Sequence, residues 1–195
     1  ELSEYLSNKK TIIDLYNGKK DLNDSIIRAT SKSVFQADPL RMVRAFRFAA
    51  KMNFSIAEET LQGISLYRKN ISTAAGERVW QELLSFFEAD NTGDLINLMQ
   101  KSKLLSCILP EFFINWEEIL TFYKRLENII SNLVLYFPKH TPKLNSSERA
   151  LLKFSVLLKE IDKSISIENI NRKNYGIPNT FKTLKALKAS NNEIA

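Results

Sequence analysis

From Ala37 onward the apolar positions recur at three- and four-residue spacing, the period of helices that bury one face. Asp38-Pro39 predicts a helix start, a carboxylate cap followed by proline where no N–H is needed, and the helix runs through Arg41, Val43, Phe46 and Phe48 to about Lys51. Ser55 and Glu58 have capping-box spacing for a second helix through Leu61 and Ile64. Ser72 or Thr73 is expected to open a third, carrying Val79, Leu83, Leu84 and Phe87, and Thr92 to cap a fourth with Leu95, Ile96 and Leu98. Leu109-Pro110 breaks the pattern. A long amphipathic helix is predicted over residues 116–136, ended by Phe137-Pro138. After a polar loop from Lys139 to Asn145, Ser147 and Glu148 open another helix through Leu151, Leu152, Phe154, Leu157 and Leu158. A short helix is predicted over 180–189. Residues 1–30 differ: Thr11, Ile12 and Ile13 form a β-prone run ending in a turn signal, Asn17-Gly18. The expected fold class is all-α, with a short N-terminal β remnant of a sheet lying elsewhere.

Composition narrows this picture. The chain has 195 residues and is 44% hydrophobic, enough for one good-sized core or two small helical units. Five glycines and five prolines exclude collagen-like or long low-complexity sequence. The single cysteine, Cys107, lies in an apolar run and reads as a buried small hydrophobe. It rules out a disulfide framework and points to a reducing, cytoplasmic setting. No apolar stretch reaches the roughly 18 residues of a membrane span, and no signal peptide is visible. The net charge of +6 favours a polyanionic partner, phosphate backbones above all, although the charge is spread along the chain.

The candidate chemistry sits at the Asp38-Pro39 helix start. Asp38 and Arg41, three residues apart, project to one side, and Arg41, Arg44 and Phe48 follow on one face. A carboxylate beside a guanidinium pairs acceptors with donors. Cytosine and adenine match it, offering an exocyclic amine to the carboxylate and a ring acceptor to the guanidinium. Uracil sets a carbonyl against the carboxylate, and guanine presents a different order. Spacing alone does not separate this role from a helix cap with a solvated ion pair.

The string from Ala37 to Ala50, ADPLRMVRAFRFAA, resembles the neck motif of class II RNA nucleotidyltransferases, the CCA-adding enzymes and bacterial poly(A) polymerases. Upstream, residues 14–22 with Ile27-Arg28 resemble that family's hinge motif. Downstream, Asn53 to Ile56 with Glu59 to Leu61, then Gly76 to Val79 with Glu82 to Leu84, resemble the segment closing its template pocket. The three motifs stand in the family's order over roughly residues 11–90. The resemblance implies that Asp38 and Arg41 read the incoming base and that Asp14, Gly18, Asp21 and Arg28 belong to the hinge. It implies that Glu77 and Arg78 steady the pocket. Arg44 and Arg47 contact phosphate or brace the helices through acids. The family usually has Glu where this chain has Ala37.

The implied partners are CTP, ATP and the 3′ end of tRNA or another RNA, with no membrane, and Mg2+ serves the parent enzyme through carboxylates of a catalytic head. Nothing in residues 1–30 supplies such carboxylates, so no catalytic residue is assigned and this polypeptide alone is expected to lack transferase activity. The implied division is a head remnant and hinge over 1–30, a neck over 31–108 and a helical body over 109–195. The body resembles a degenerate His-Asp unit, with Lys159-Glu160 where the pair would stand, and no metal is expected there. Its lone histidine, His140, lies in the polar loop. Lys182, Lys185 and Lys188 share a helix face and are the candidate RNA contacts. The alternative is a non-catalytic helical RNA-binding or adaptor module derived from the same family.

Overall fold

The computed structural model describes residues 13–31, 33–109 and 115–158. The β-prone residues Thr11 and Ile12, Lys159-Glu160, the 180–189 helix and Lys182, Lys185 and Lys188 lie outside them. The described chain is helical, as the periodicity requires. In order come α1 (Gly18–Asn23), β1 (Ile26–Ile27), α2 (Val34–Ala37), α3 (Leu40–Met52), β2 (Ser55–Ile56) and α4 (Glu58–Tyr67). A 3-10 segment (Arg68–Thr73) leads to α5 (Gly76–Phe87), α6 (Gly93–Lys101), α7 (Leu104–Ile108), α8 (Trp116–Ser131), α9 (Leu133–Tyr136) and α10 (Ser146–Leu158). No described helix is long and apolar enough to cross a membrane.

The core forms where α3, α5 and α10 meet. Helix α3 buries Leu40, Met42, Val43, Ala45, Phe46 and Ala49, and α5 answers with Val79, Trp80, Leu83, Phe86 and Phe87. Phe154 of α10 packs edge-on against Trp80, with ring centroids 4.8 Å apart. Each fully buried side chain of this size contributes about 1.5–3 kcal/mol. Asn53, at φ 54°, ends α3 in the left-handed conformation that asparagine tolerates better than most residues.

The strand content falls elsewhere than expected. Ile13 is not in a strand, and Asn17-Gly18 does not form a hairpin turn: Asn17, at φ 57°, leads straight into α1. The two short strands are instead Ile26–Ile27 and Ser55–Ile56, paired in parallel. That pairing corrects the expected capping box, because Ser55 extends to bond Ser25 and Ala57 stands at the start of α4 without a side-chain cap. Ser72 and Thr73 open no helix; their hydroxyls donate back to the carbonyls of Lys69 and Asn70, closing the 3-10 segment. The helix over 116–136 is two, broken at Asn132, whose side chain turns back to Asn128. The capping box that does form is Asn145 with Glu148, each accepting the other's backbone N–H at 2.9 and 2.8 Å. Cys107 is half-buried against the core rather than enclosed, and His140 is exposed.

A buried polar network joins α6, α8 and α10. Thr92 precedes α6 as expected, but its hydroxyl bonds Glu127 and Tyr123 instead of its own helix. Glu127, on α8, takes the Thr92 and Gly93 N–H groups at 2.7 and 2.9 Å. Gly93 allows that approach, since a Cβ there would stand 2.8 Å from Lys124 Cγ and 3.1 Å from Glu127 Oε2. Burial pushes the Tyr123 phenol well above its ordinary range.

Candidate functional site

The first turn of α3 carries the base-reading candidates. Asp38 precedes the helix in extended conformation, and its Oδ1 accepts the Leu40 N–H at 3.2 Å. Pro39 follows with φ −60°, already helical. One oxygen of Asp38 is therefore fixed by backbone. The other, Oδ2, lies 3.6 Å from Arg41 Nε and 3.7 Å from an Arg44 terminal nitrogen, charge contacts longer than hydrogen bonds. Arg41 is 53% exposed and has donors to spare.

Arg44 and Arg47 are held differently. Both point at Glu82 on α5. Arg44 Nε donates to Glu82 Oε1 at 2.8 Å, and Arg47 Nε stands 2.9 Å from Glu82 Oε2, off the angle of a good hydrogen bond. That second contact is close enough to be an ion pair and is read as one. The Arg47 guanidinium also lies 4.4 Å from the centre of the Phe48 ring. The Glu82 carboxylate, helped by Asp38, raises the pKa of the Arg44 guanidinium despite partial desolvation. Arg44 and Arg47 therefore both pair with one acid on α5. Glu82, the acid that both arginines meet, is not legible from the sequence as an individual position. The signal available was an acid on the buried-facing side of α5, but its partners are 38 and 35 residues away.

Of the residues expected to form a hinge, Arg28 lies beside this face with Asp21 bonded to it. Asp14 caps α1, accepting the Gly18 and Lys19 N–H groups at 2.7 and 2.9 Å, and those bonds hold its carboxyl below the usual carboxylate range. Arg28 is gripped from two sides, by Asp21 at 3.0 Å and by Glu59 of α4 at 3.1 Å. The Ala29 N–H donates to Thr60 at 2.9 Å. A cavity of about 340 Å³ opens here, and its walls include Arg28, Phe35, Arg41, Arg44, Phe48 and Thr60. Three of the singled-out arginines meet there. Glu77 and Arg78 do not line it; both are exposed on the first turn of α5.

With this geometry in view, comparison with known proteins is informative. Residues 53–114 match the family model described as "Probable RNA and SrmB-binding site of polymerase A". A "Multifunctional CCA protein" of Neisseria gonorrhoeae is 39% identical over 102 residues, 51% of this chain and 25% of that protein. A "CCA-adding enzyme" of Buchnera aphidicola subsp. Cinara cedri is 34% identical over 175 residues, 84% of this chain and 40% of that one. Among solved structures, a "tRNA-processing enzyme with CTP" superposes with a TM-score of 0.71 at 22% identity, covering 95% of this chain and 46% of the other, a likeness of fold. The chain therefore spans a quarter to two fifths of these curated relatives' length. Matched in sequence through its neck helices and in fold through nearly its whole length, the chain belongs to the CCA-adding enzyme and poly(A) polymerase family, whose neck and body it represents.

Proposed function

We propose that the chain is the base-selecting and RNA-holding part of a nucleotidyltransferase that adds C, A or both to the 3′ end of tRNA or another RNA. The observation that carries this reading is the Asp38 carboxylate: one oxygen is pinned by the Leu40 N–H, and the other has no partner at hydrogen-bond distance among the described residues, beside the half-exposed Arg41. That free oxygen suits the exocyclic amine of cytosine or adenine, while Arg41 suits the adjacent ring acceptor. A uracil carbonyl facing the same oxygen leaves the site unmatched, a loss on the order of 1–3 kcal/mol. Arg28 and Asp21 link this face to the hinge, with Asp14 and Gly18 fixing the helix before it. Glu77 and Arg78 stand outside the cavity, exposed on the first turn of α5. A positive charge of +6 and the RNA-binding description of the matched family support RNA as partner, with Lys182, Lys185 and Lys188 as contacts.

The resemblance also implies Mg2+ for bond-making. Among the described residues no three carboxylate, imidazole or thiol groups converge, and the part in the reaction proposed for them is choice of base.

Titrating the purified chain with CTP, ATP, UTP and GTP tests this. Preference for CTP and ATP of about fivefold or more, erased by Asp38→Ala, is the expected result. Equal affinity for all four sinks base reading; salt-sensitive tRNA binding without nucleotide preference favours the RNA-binding module.

A further inference from the structure

The arginines of α3 outnumber the acids that face them. Among the described residues, Arg41, Arg44 and Arg47 form ion pairs with Asp38 and Glu82 alone. Arg44 is the shared one. It lies between the two carboxylates, bonded to Glu82 at 2.8 Å and standing off Asp38 at 3.7 Å. Without Glu82, Asp38 is the acid left beside Arg44, and a charged hydrogen bond near 2.8 Å is much stronger than the present contact nearly 1 Å longer. Glu82 holds Arg44 from a separate helix. Its carboxylate is only 12% exposed, and α5 packs along the length of α3. Its second oxygen is engaged by Arg47, which fixes the direction of the first.

We propose that Glu82 is a specificity-determining positioning residue: by holding Arg44 away from Asp38, it keeps Asp38 Oδ2 open to the amine of the incoming base. This rests on the base-reading role proposed above. The feature works through competition between two carboxylates for one guanidinium, not through contact of Glu82 with the nucleotide. It also assigns Arg44 an unusual sign. When Glu82 is intact, Arg44 is a harmless neighbour of the template. When the Glu82 charge is removed, Arg44 becomes an internal competitor that occupies the acceptor meant for substrate.

The competition model makes a prediction that a purely structural brace does not. Glu82→Gln keeps the shape of the side chain and removes its charge, and it is expected to reduce the preference for CTP over UTP about tenfold. Adding Arg44→Ala removes the competitor, so the double variant Glu82→Gln/Arg44→Ala recovers most of the lost preference although it carries one more lesion. Glu82→Asp, which retracts the carboxylate by one methylene, falls between wild type and Glu82→Gln and serves if the neutral variant folds poorly. The measurement is the ratio of UTP to CTP dissociation constants for the 195-residue chain and each variant, with a thermal melt of each sample.

Loss in Glu82→Gln followed by recovery in the double variant supports the proposal. A Glu82→Gln or Glu82→Asp chain that keeps full preference overturns it. So does a double variant no more selective than the single one, since that is the behaviour of a brace whose loss only loosens the site. A wild-type chain without CTP preference removes the base-reading role itself and this inference with it, which separates the two failures.

Discussion

Lys153 and Glu127 form an ion pair in the interior, 2.9 Å from Nζ to Oε1, with their side chains 2% and 8% exposed. Glu127 simultaneously caps α6, and Lys153 also donates to the Ala89 carbonyl. Removing one partner leaves a buried charge uncompensated, so Lys153→Ala is expected to destabilise the chain by about 3–5 kcal/mol. Replacing both, as Lys153→Met/Glu127→Gln, removes the stranded charge while leaving an amide oxygen for the cap, and costs less than the single change. Urea unfolding at constant m-value gives both numbers. A Lys153→Ala chain as stable as wild type refutes the assignment.

Asp38→Asn offers a sharper probe of base reading than truncation. The amide can present a donor where the carboxylate accepted, so UTP binding is expected to strengthen while CTP and ATP binding weaken. Arg41→Ala weakens CTP and ATP by about 1–3 kcal/mol through its lost contact to the ring acceptor. Isothermal titration with the four nucleotides reads both. Unchanged selectivity in both variants is incompatible with the template role.

Asp14 gives α1 an acid-sensitive start. Its carboxyl has a lowered pKa in the folded chain because it accepts the Lys19 and Gly18 N–H groups. A depressed carboxylate contributes stability above its unfolded pKa and loses it as pH falls through the folded value. Helix α1 is thus expected to fray on acidification below the usual carboxylate range, and Asp14→Ala to fray it at neutral pH. Amide exchange of residues 18–23 measures this; exchange in Asp14→Ala that matches wild type at neutral pH counts against the cap.

The two candidate capping boxes are expected to part company. Asn145→Ala removes a reciprocal cap of α10 and costs about 1 kcal/mol. Ser55→Ala removes only a 3.3 Å hydroxyl contact to the Ser25 carbonyl and stays within about 0.5 kcal/mol of wild type. Thermal melts of the pair reverse this order if Ser55 is the cap.

That contrast shows what the sequence made legible. Asp38-Pro39 was readable because cap and proline act on the very next turn, and the core face of α3 because its period is local. Ser55 was misread because β1, thirty residues earlier, claims its backbone. Thr92 was placed correctly at its helix start, yet its hydroxyl went to residues of α8. Glu82, Glu127 and Lys153 are not fixed by their neighbours in sequence, since the partners that hold them stand on other helices, 26 or more residues away. The fold class and the Asp38–Arg41 pair depend on neighbours within one turn; the groups that aim and anchor them depend on how helices stack.

The short parallel pairing of β1 with β2 has a mechanical consequence. Ser55 and Ala57 donate to the carbonyls of Ser25 and Ile27, and Arg28 reaches Glu59 just beyond. A pull on the chain ahead of Ile26 loads those bonds side by side in shear, so the pull is carried as a unit into the first turn of α4 instead of peeling one bond at a time. Residues 25–28 act as a lever rather than a leash: movement of what precedes them is delivered to the wall of the cavity at Thr60 and Arg28.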